Sequence, residues 1–431
     1  MKLQSSSHYW LCYTTAAILL LASTTIETRA REQPRHGIVR ACGRALCDDG
    51  GPWPAVGASL FWGMWGYKFD RLRFEANLKF LADHGFDYIR VLGEVGGAPW
   101  KDRVVDPGWP EYDRAVGEFT DLAYQKYGLR VEWCLFGGTD FSTTPVLREA
   151  RIDRFARAIV GHEQGVLLVE IANEGWKNGF PGPDGRKELT ALAARLGAKL
   201  KEAGAKPLLR AITSPAATDV YGGVEVATVH TPRDRGDDGW RPIHSLSQYR
   251  DRVGMPPVIT NDEPIGPGSS VNVENDPLKL VSQAIASYIN GMAAYTYHTN
   301  AGIWGGGVSG QHRGPGDLWR LPQAREIAAG FKAMRGYVPA DIGAWTVSHA
   351  KTRDHPFQGS ATIVAAMNGP RFVALWYAVD GRSPLKATRA MTFSVIHPLT
   401  GATLRTVTLT AGQSVPVAAE PAAVFITGTF K

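Results

Sequence analysis

Eight short apolar segments recur between Pro54 and Met334, with helical stretches between most of them, and this alternation constrains the fold more than any other feature. The strand-like segments are residues 54–61, 86–92, 129–136, 166–172, 206–213, 224–230, 257–260 and 292–298. Residues 70–84, 112–127, 146–162, 188–203, 278–289 and 323–334 carry the helical spacing, and the fifth and sixth intervening helices are weak or short. Strands that are apolar on both faces belong in a parallel sheet covered by helices. Eight such units over this span predict a (β/α)8 TIM barrel. An open doubly wound sheet competes, but it wants a glycine fingerprint after the first strand, which Gly57-Ala58-Ser59 is not.

The pattern changes near residue 340. Residues 362–367, 372–377, 391–396, 403–410 and 423–427 read as short alternating strands, with turn signals at Asn368-Gly369 and Asp380-Gly381. The expected organisation is a barrel over residues 31–340 followed by a small antiparallel β-sandwich domain over 341–431.

Residues 1–30 read as a leader outside the fold. Lys2 gives a positive start, Trp10 to Ala22 is apolar with interruptions at Thr14 and Thr15, and Thr28-Arg29-Ala30 offers small residues for cleavage. A secreted or periplasmic protein is expected, with no membrane attachment after cleavage. Three cysteines then remain. Cys42 and Cys47 flank a four-residue loop and are expected to close a disulfide, with two free thiols as the other reading. Cys134 lies in an apolar run and reads as a small core residue. No metal-ligand spacing such as CxxC or HExxH occurs.

Composition removes further classes. Thirteen Trp, 14 Tyr and 16 Phe exclude a disordered chain. The formal charge is only +6 and the cations are scattered, so nucleic acid is not the expected partner. A monomer without an organic cofactor or a metal is expected.

Polar residues gather where strands end: Asn173-Glu174, His230, Asn261-Asp262-Glu263 and His298-Thr299-Asn300. In a barrel these positions share the C-terminal rim, where catalytic groups sit. Glu174 follows strand four and Glu263 strand seven, on opposite sides of a barrel. Such a pair suits retaining glycoside hydrolysis, with one carboxyl as acid and one as nucleophile. The acid is expected to have a raised pKa from burial and from its negative neighbour. Asp262 competes with Glu263, and alternation along a strand would let only one face the cleft. Glu170 shares parity with Glu174, and its simplest reading is a buried ion pair with a strand arginine such as Arg210.

On these residues the chain resembles glycoside hydrolase clan A, most closely the cellulase-type family five and its relatives, from about Trp53 to Gly336. Leu168-Val169-Glu170-Ile171-Ala172-Asn173-Glu174 is similar to the strand-four signature. The resemblance makes Glu174 the acid/base and Asn173 the donor to the sugar 2-hydroxyl. Ile259 to Gly266 resembles the strand-seven segment, which makes Glu263 the nucleophile. Asp87-Tyr88-Ile89-Arg90 resembles the strand-two segment, whose arginine keeps the nucleophile ionised. His230 matches the strand-six histidine. The chain departs from the pattern with Gly175 in place of a proline, Pro232 in place of an aromatic residue, and Glu132-Trp133-Cys134 on a third strand without the usual histidine. No strand-eight tryptophan platform is evident.

Tyr297, His298, Trp62 and Trp304 are the further candidates for substrate contact, beside Trp65 and Trp176. The loop cations Lys177, Arg233, Arg235 and Arg313 read first as solvated surface charge and second as partners for a uronic-acid unit. The expected function is a secreted retaining glycosidase acting on a β-linked poly- or oligosaccharide. The alternative is a carbohydrate-binding protein on the same scaffold that has lost catalysis, although both carboxylates are retained.

Overall fold

The computed structural model describes residues 35–215, 219, 221–233, 240, 254–268, 272–306, 316–348, 354–358, 363–377, 384–416 and 422–431. The expected leader, Arg235, Arg313 and Asp380-Gly381 lie outside them. Eight parallel strands form one sheet: Ala55–Ser59, Tyr88–Leu92, Arg130–Phe136, Val166–Ala172, Arg210–Thr213, Val226–Val229, Val258–Asn261 and Ala294–Tyr297. Strand one pairs with both strand two and strand eight, which closes the sheet on that side. Strands five and six carry no backbone ladder between them. Glu225 bridges that seam, because its carboxylate accepts from the Arg210 backbone N at 3.0 Å and from its guanidinium at 2.8 Å. Arg210 is thereby committed to Glu225, not to Glu170 as expected from the sequence.

Alternation along each strand divides its side chains between two environments. Ile89, Val91, Val131, Trp133, Val169, Ile171, Val229 and Ile259 join the large apolar core beneath the helices. The opposite parity fills the barrel interior with polar groups: Tyr88, Arg90, Glu132, Glu170, Thr228, Asp262 and Thr296 are all fully buried. The Tyr88 hydroxyl meets Thr296 Oγ1 at 2.8 Å across the barrel. Gly57 makes room for that ring, since a Cβ there would lie 2.3 Å from it. Branched apolar residues usually fill such interiors; here charge does.

The outer helices follow the sequence periodicity closely. Arg71–Asp83, Tyr112–Asp121, Pro145–Ala158, Pro277–Ile289 and Ala324–Met334 fall on the expected stretches. Gly182–Glu202 begins six residues earlier than the apolar pattern, because its first turn is polar and opens through Pro183. The N-terminal end of the barrel is covered by a small antiparallel sheet, Arg40–Cys42, Ala45–Asp48 and Gly51–Trp53. The Cys42–Cys47 disulfide lies within it. Its Leu46 and Trp53 pack on Ala55, Tyr88, Leu167, Val226 and Val258 at the strand starts.

The C-terminal part is a β-sandwich. Its larger sheet contains Ile363–Asn368, Arg371–Tyr377, Ala423–Phe430, Met391–Ile396 and Thr403–Leu409, with Thr346–Ser348 at one edge. A three-stranded sheet of Phe357–Gln358, Leu385–Ala387 and Ser414–Val415 accompanies it. Strand 371–377 shows why both faces are apolar. Phe372, Ala374 and Trp376 enter the sandwich core, while Val373, Leu375 and Tyr377 join the barrel core. Helix 277–289 is caught between barrel and sandwich, and all its residues except Leu278 and Lys279 are buried. That position accounts for its nearly uniform apolar sequence.

Candidate active site

The site is assembled at the C-terminal rim around one arginine. Arg90, on strand two, is completely buried. Its Nη1 donates to Glu263 Oε1 at 3.1 Å, and its Nη2 to Glu170 Oε2 at 2.6 Å and to Asn173 Oδ1 at 3.0 Å. Its Nε lies 3.1 Å from Glu132 Oε1 and 3.9 Å from Asp262 Oδ2. Four carboxyl groups therefore converge on one guanidinium in a buried interior. Full ionisation of all four would leave uncompensated buried charge, which is costly. Glu132 relieves the excess by keeping its proton, and Asp262 keeps one only below about pH 6. Burial, then the charge of Asp262, pushes Glu132 well above the carboxylate range. Burial raises Asp262 to about 6 against the pull of Arg90.

Asp262 and Glu263 part in an instructive way. Strand seven ends at Asn261. Thr260 lies in register with the inward-facing Thr228, so Asp262 continues that parity into the interior. Strict alternation would turn Glu263 outward. The chain has left the strand by then, and Glu263 rises over Arg90 into the rim.

Glu174 sits one residue beyond the Asn173 that follows strand four. Its φ is +42°, in the left-handed region that a non-glycine residue enters at a cost of about 1 kcal/mol or more. A tight turn holds it there. Lys177 N donates to the Glu174 carbonyl at 2.7 Å, and Gly175 N donates to Thr213 Oγ1 at 2.8 Å. Strain of this kind collects where a side chain must be aimed. The aim here brings an oxygen of Glu174, one of Glu263 and a ring nitrogen of His230 within 4.8 Å of one another.

Histidines and a second arginine complete the ring. His230 Nδ1 lies 3.2 Å from Glu174 Oε1 and 3.5 Å from Glu263 Oε2. Arg233 Nη1 donates to Glu263 Oε2 at 2.9 Å, and its Nη2 lies 3.8 Å from Glu174 Oε1. Arg233 Nη1 also lies 3.4 Å from His298 Nε2. An arginine can only donate, so that ring nitrogen accepts and His298 Nδ1 carries the proton toward Ser59 Oγ at 2.8 Å. Burial lowers the His298 pKa to about 3, in keeping with a neutral ring. Phe61 closes the wall, 5.8 Å from the His298 ring and 5.1 Å from the Arg90 guanidinium. Gly266 lets the loop after strand seven run against the His298 backbone, because a Cβ there would meet the His298 carbonyl oxygen at 2.0 Å.

The two glutamates have low pKa values for a shared reason. Burial raises Glu263, but His230, Arg90 and Arg233 around it outweigh burial and hold it far below the usual range. Burial also raises Glu174, and there the hydrogen bond and charge of His230, together with Lys177, outweigh burial and the repulsion of Glu263. The raised acid expected from the sequence is therefore not what this arrangement of groups produces. The sequence did not reveal how many cations the rim places beside Glu174.

Several other expectations change. Trp62 is fully buried, meets the Phe74 ring edge-on and donates from Nε1 to Ala301 O at 2.9 Å, so it belongs to the core. Tyr297 also lies in the core, against Phe86 and Phe331. It has the opposite parity to His298, and only His298 reaches the rim. Asn173 is held at its carbonyl end by Arg90, which leaves the amide NH2 end as the donor side. Trp304 is half-buried and stacks at a tilt on Trp100, ring centroids 4.8 Å apart. Trp100 itself lies 6.5 Å from Phe61, which extends an aromatic strip from the histidine wall. Trp100 follows a loop with no strand-end signal, and only its neighbours reveal it. Arg233 is not solvated surface charge, for only 11% of its side chain is exposed. Lys177 remains largely exposed, 3.6 Å from Glu174 Oε2.

Two groups among the described residues have spacing that could hold a metal ion, Glu174–His230–Glu263 and Glu132–Glu170–Asp262. In each a guanidinium already meets the demand for positive charge, Arg233 in the first and Arg90 in the second.

The same fold occurs in solved glycoside hydrolases. The chain matches a crystal structure of a glycoside hydrolase family 5 protein from Bacteroides vulgatus with a TM-score of 0.66 at 11% identity, over 92% of this chain and 94% of that one. A second structure, described as a glycoside hydrolase, matches with a TM-score of 0.63 at 12% identity, over 92% and 97% of the two chains. No family model and no curated protein matches the sequence. The resemblance to clan A read from the sequence is met at the level of the fold.

Proposed function

We propose that the protein is a retaining glycoside hydrolase acting on a β-linked poly- or oligosaccharide. One observation carries this reading: an oxygen of Glu174 and an oxygen of Glu263, from the ends of facing strands, lie within 4.8 Å of each other, and both face the same His230 Nδ1. Retaining enzymes hold their carboxyl pair about 5–5.5 Å apart, whereas inverting enzymes leave about 6.5–9.5 Å for a water. The fold shared with solved glycoside hydrolases agrees with the reading.

In this mechanism Glu263 Oε2 attacks the anomeric carbon while Oε1 stays anchored on Arg90. The C1–O bond to the leaving group breaks, and Glu174 gives that oxygen its proton. Water then attacks the glycosyl ester, Glu174 takes its proton, and Glu263 leaves as a carboxylate. Glu174 must be protonated for the first step, and its low pKa in the free protein has to rise. Sugar binding excludes water and parts the carboxylates from the cations between them, and both changes favour the neutral acid. Once Glu263 is esterified its negative charge is gone, the pKa of Glu174 falls again, and the same group serves as base. Asn173 offers its amide to the 2-hydroxyl, and Trp100 with Trp304 offers a stacking surface for a neighbouring sugar.

We further propose that the protein is exported after removal of residues 1–30, and that the barrel and sandwich meet near residue 340. The Cys42–Cys47 disulfide suits an oxidising compartment. Among the described residues no helix is long and apolar enough to cross a membrane.

The test is reducing-sugar release by residues 31–431 from β-glucans, mannans, xylans, galactans and uronic-acid glycans, with Glu174→Ala and Glu263→Ala alongside. The expected result is activity on one class that both substitutions abolish, with NMR showing a product of retained anomeric configuration. Inverted product overturns the retaining mechanism. Binding without turnover on every glycan, by folded protein, favours the carbohydrate-binding alternative.

A further inference from the structure

Arg233 stands where the proposed reaction has to occur. Its guanidinium spans the gap between the carboxylates, 2.9 Å from Glu263 Oε2 and 3.8 Å from Glu174 Oε1. Glu263 Oε1 is engaged from below by Arg90, so Oε2 is the oxygen left for attack. A near-attack arrangement needs the anomeric carbon about 3–3.5 Å from that oxygen. Arg233 and a sugar cannot share this space. The side chain must turn aside, while its backbone carbonyl remains tied to Asn272 Nδ2 at 2.9 Å.

Turning aside breaks a charge-assisted hydrogen bond and returns a guanidinium and a carboxylate to an enclosed site. The hydroxyls of a neutral sugar replace that interaction poorly. A carboxylate on the sugar replaces it in kind, because the planar guanidinium fork matches a carboxylate through two parallel hydrogen bonds. Lys177, exposed and 3.6 Å from Glu174 Oε2, supplies a second cation at the mouth.

We propose that Arg233 is a specificity residue that exchanges its ion pair with Glu263 for one with the carboxylate of a uronic-acid unit bound between the two glutamates. The substrate class is then a β-linked glycan containing uronic acid. Entry of the acidic sugar uncovers Glu263 Oε2, so the residue that recognises the substrate also releases the nucleophile. This inference rests on the glycosidase reading for its kinetic consequence, although not for the binding preference.

The experiment compares aryl β-glucuronide with aryl β-glucoside, and aryl β-galacturonide with aryl β-galactoside, on the wild type, Arg233→Met and Arg233→Lys. The wild type is expected to favour one uronide over its neutral partner by at least about tenfold in kcat/KM. Arg233→Met is expected to lower the uronide-to-neutral ratio of kcat/KM to about one, whatever its overall rate, and Arg233→Lys to keep part of the preference. Equal loss on acidic and neutral substrates in Arg233→Met overturns the inference, because Arg233 then only positions Glu263. A wild-type preference for neutral sugars overturns it as well. Calorimetric titration of free glucuronate, galacturonate, glucose and galactose separates the two readings. If no glycoside is hydrolysed but an acidic sugar binds more tightly than its neutral partner in an Arg233-dependent way, the glycosidase reading fails and the inference stands. Equal or absent binding of acidic and neutral sugars overturns the inference.

Discussion

Replacing Asp262 with asparagine tests the charge arrangement beneath the site and separates the two adjacent acids. Asp262 is fully buried, and a side-chain hydrogen bond from Thr260 offsets that burial only in part. Its nearest positive group is Arg90 Nε at 3.9 Å. Burial lifts its pKa from the usual 3.8 to about 6. Between these values the folded protein keeps a proton that the unfolded chain has released. The contribution of Asp262 is therefore least unfavourable below about pH 4, and it worsens as the pH rises to about 6. At 1.36 kcal/mol per pH unit, the full penalty at neutral pH is about 3 kcal/mol. An asparagine side chain has the same shape and does not ionise. Asp262→Asn is expected to gain up to about 3 kcal/mol over the wild type at pH 7.5, a figure that already includes the attraction of Arg90, and close to nothing at pH 4. Urea denaturation of both proteins at each pH gives the difference, to which the easing of Glu132 beside an uncharged asparagine adds in the same direction. Hydrolytic activity is expected to stay within a few-fold of wild type, because Asp262 faces the interior. An equal loss of stability at both pH values would falsify the charge argument. Loss of turnover with Asp262→Asn and survival with Glu263→Gln would make Asp262 the nucleophile.

Four further outcomes are expected. Glu263→Ala lowers turnover by roughly 10³-fold or more, and added azide, a small nucleophile that fits the space left by the carboxylate, restores product with inverted anomeric configuration. Arg90→Met leaves Glu170 without its cation and Glu263 with Arg233 alone, and destabilises by about 3–5 kcal/mol at neutral pH; the loss shrinks in acid as Glu170 protonates, and a deficit independent of pH in thermal unfolding would count against the cluster. Trp62→Ala costs about 3–5 kcal/mol in denaturant unfolding, whereas Trp304→Ala mainly raises KM; a reversal of the two effects would return Trp62 to the cleft. Cys42→Ser with Cys47→Ser lowers stability by about 2 kcal/mol, the entropy of a short closed loop, and a reducing agent lowers the wild type equally.

Much of the site was legible because strand ends are legible. Apolar runs such as Val166–Ala172 bury both faces and stop where polar residues begin, so Asn173 and Glu174 declared their place at the rim. Arg90 declared itself as a charge inside such a run. The helix from Pro277 to Ile289 was equally plain, although its reason, burial between barrel and sandwich, was not. Parity was a poorer guide beyond the last ladder residue. It would have put Asp262 in the cleft and turned Glu263 away, and it did not by itself choose between Tyr297 and His298.

What the sequence determined by itself was the order of elements, the barrel, the sandwich and the positions of the two glutamates. These follow from local periodicity and from where apolar runs end. Only the tertiary structure decided the electrostatics. Arg90 gathers carboxyls from strands three, four and seven, and Arg233 reaches Glu174 and Glu263 from a loop after strand six. Arg210 spends its charge on Glu225 across the strand seam instead. The pKa of a carboxyl depends on burial and on charges within a few ångströms, and those charges come from residues far apart in the chain. The sequence supplies which groups ionise, and the folded barrel decides which of them meet.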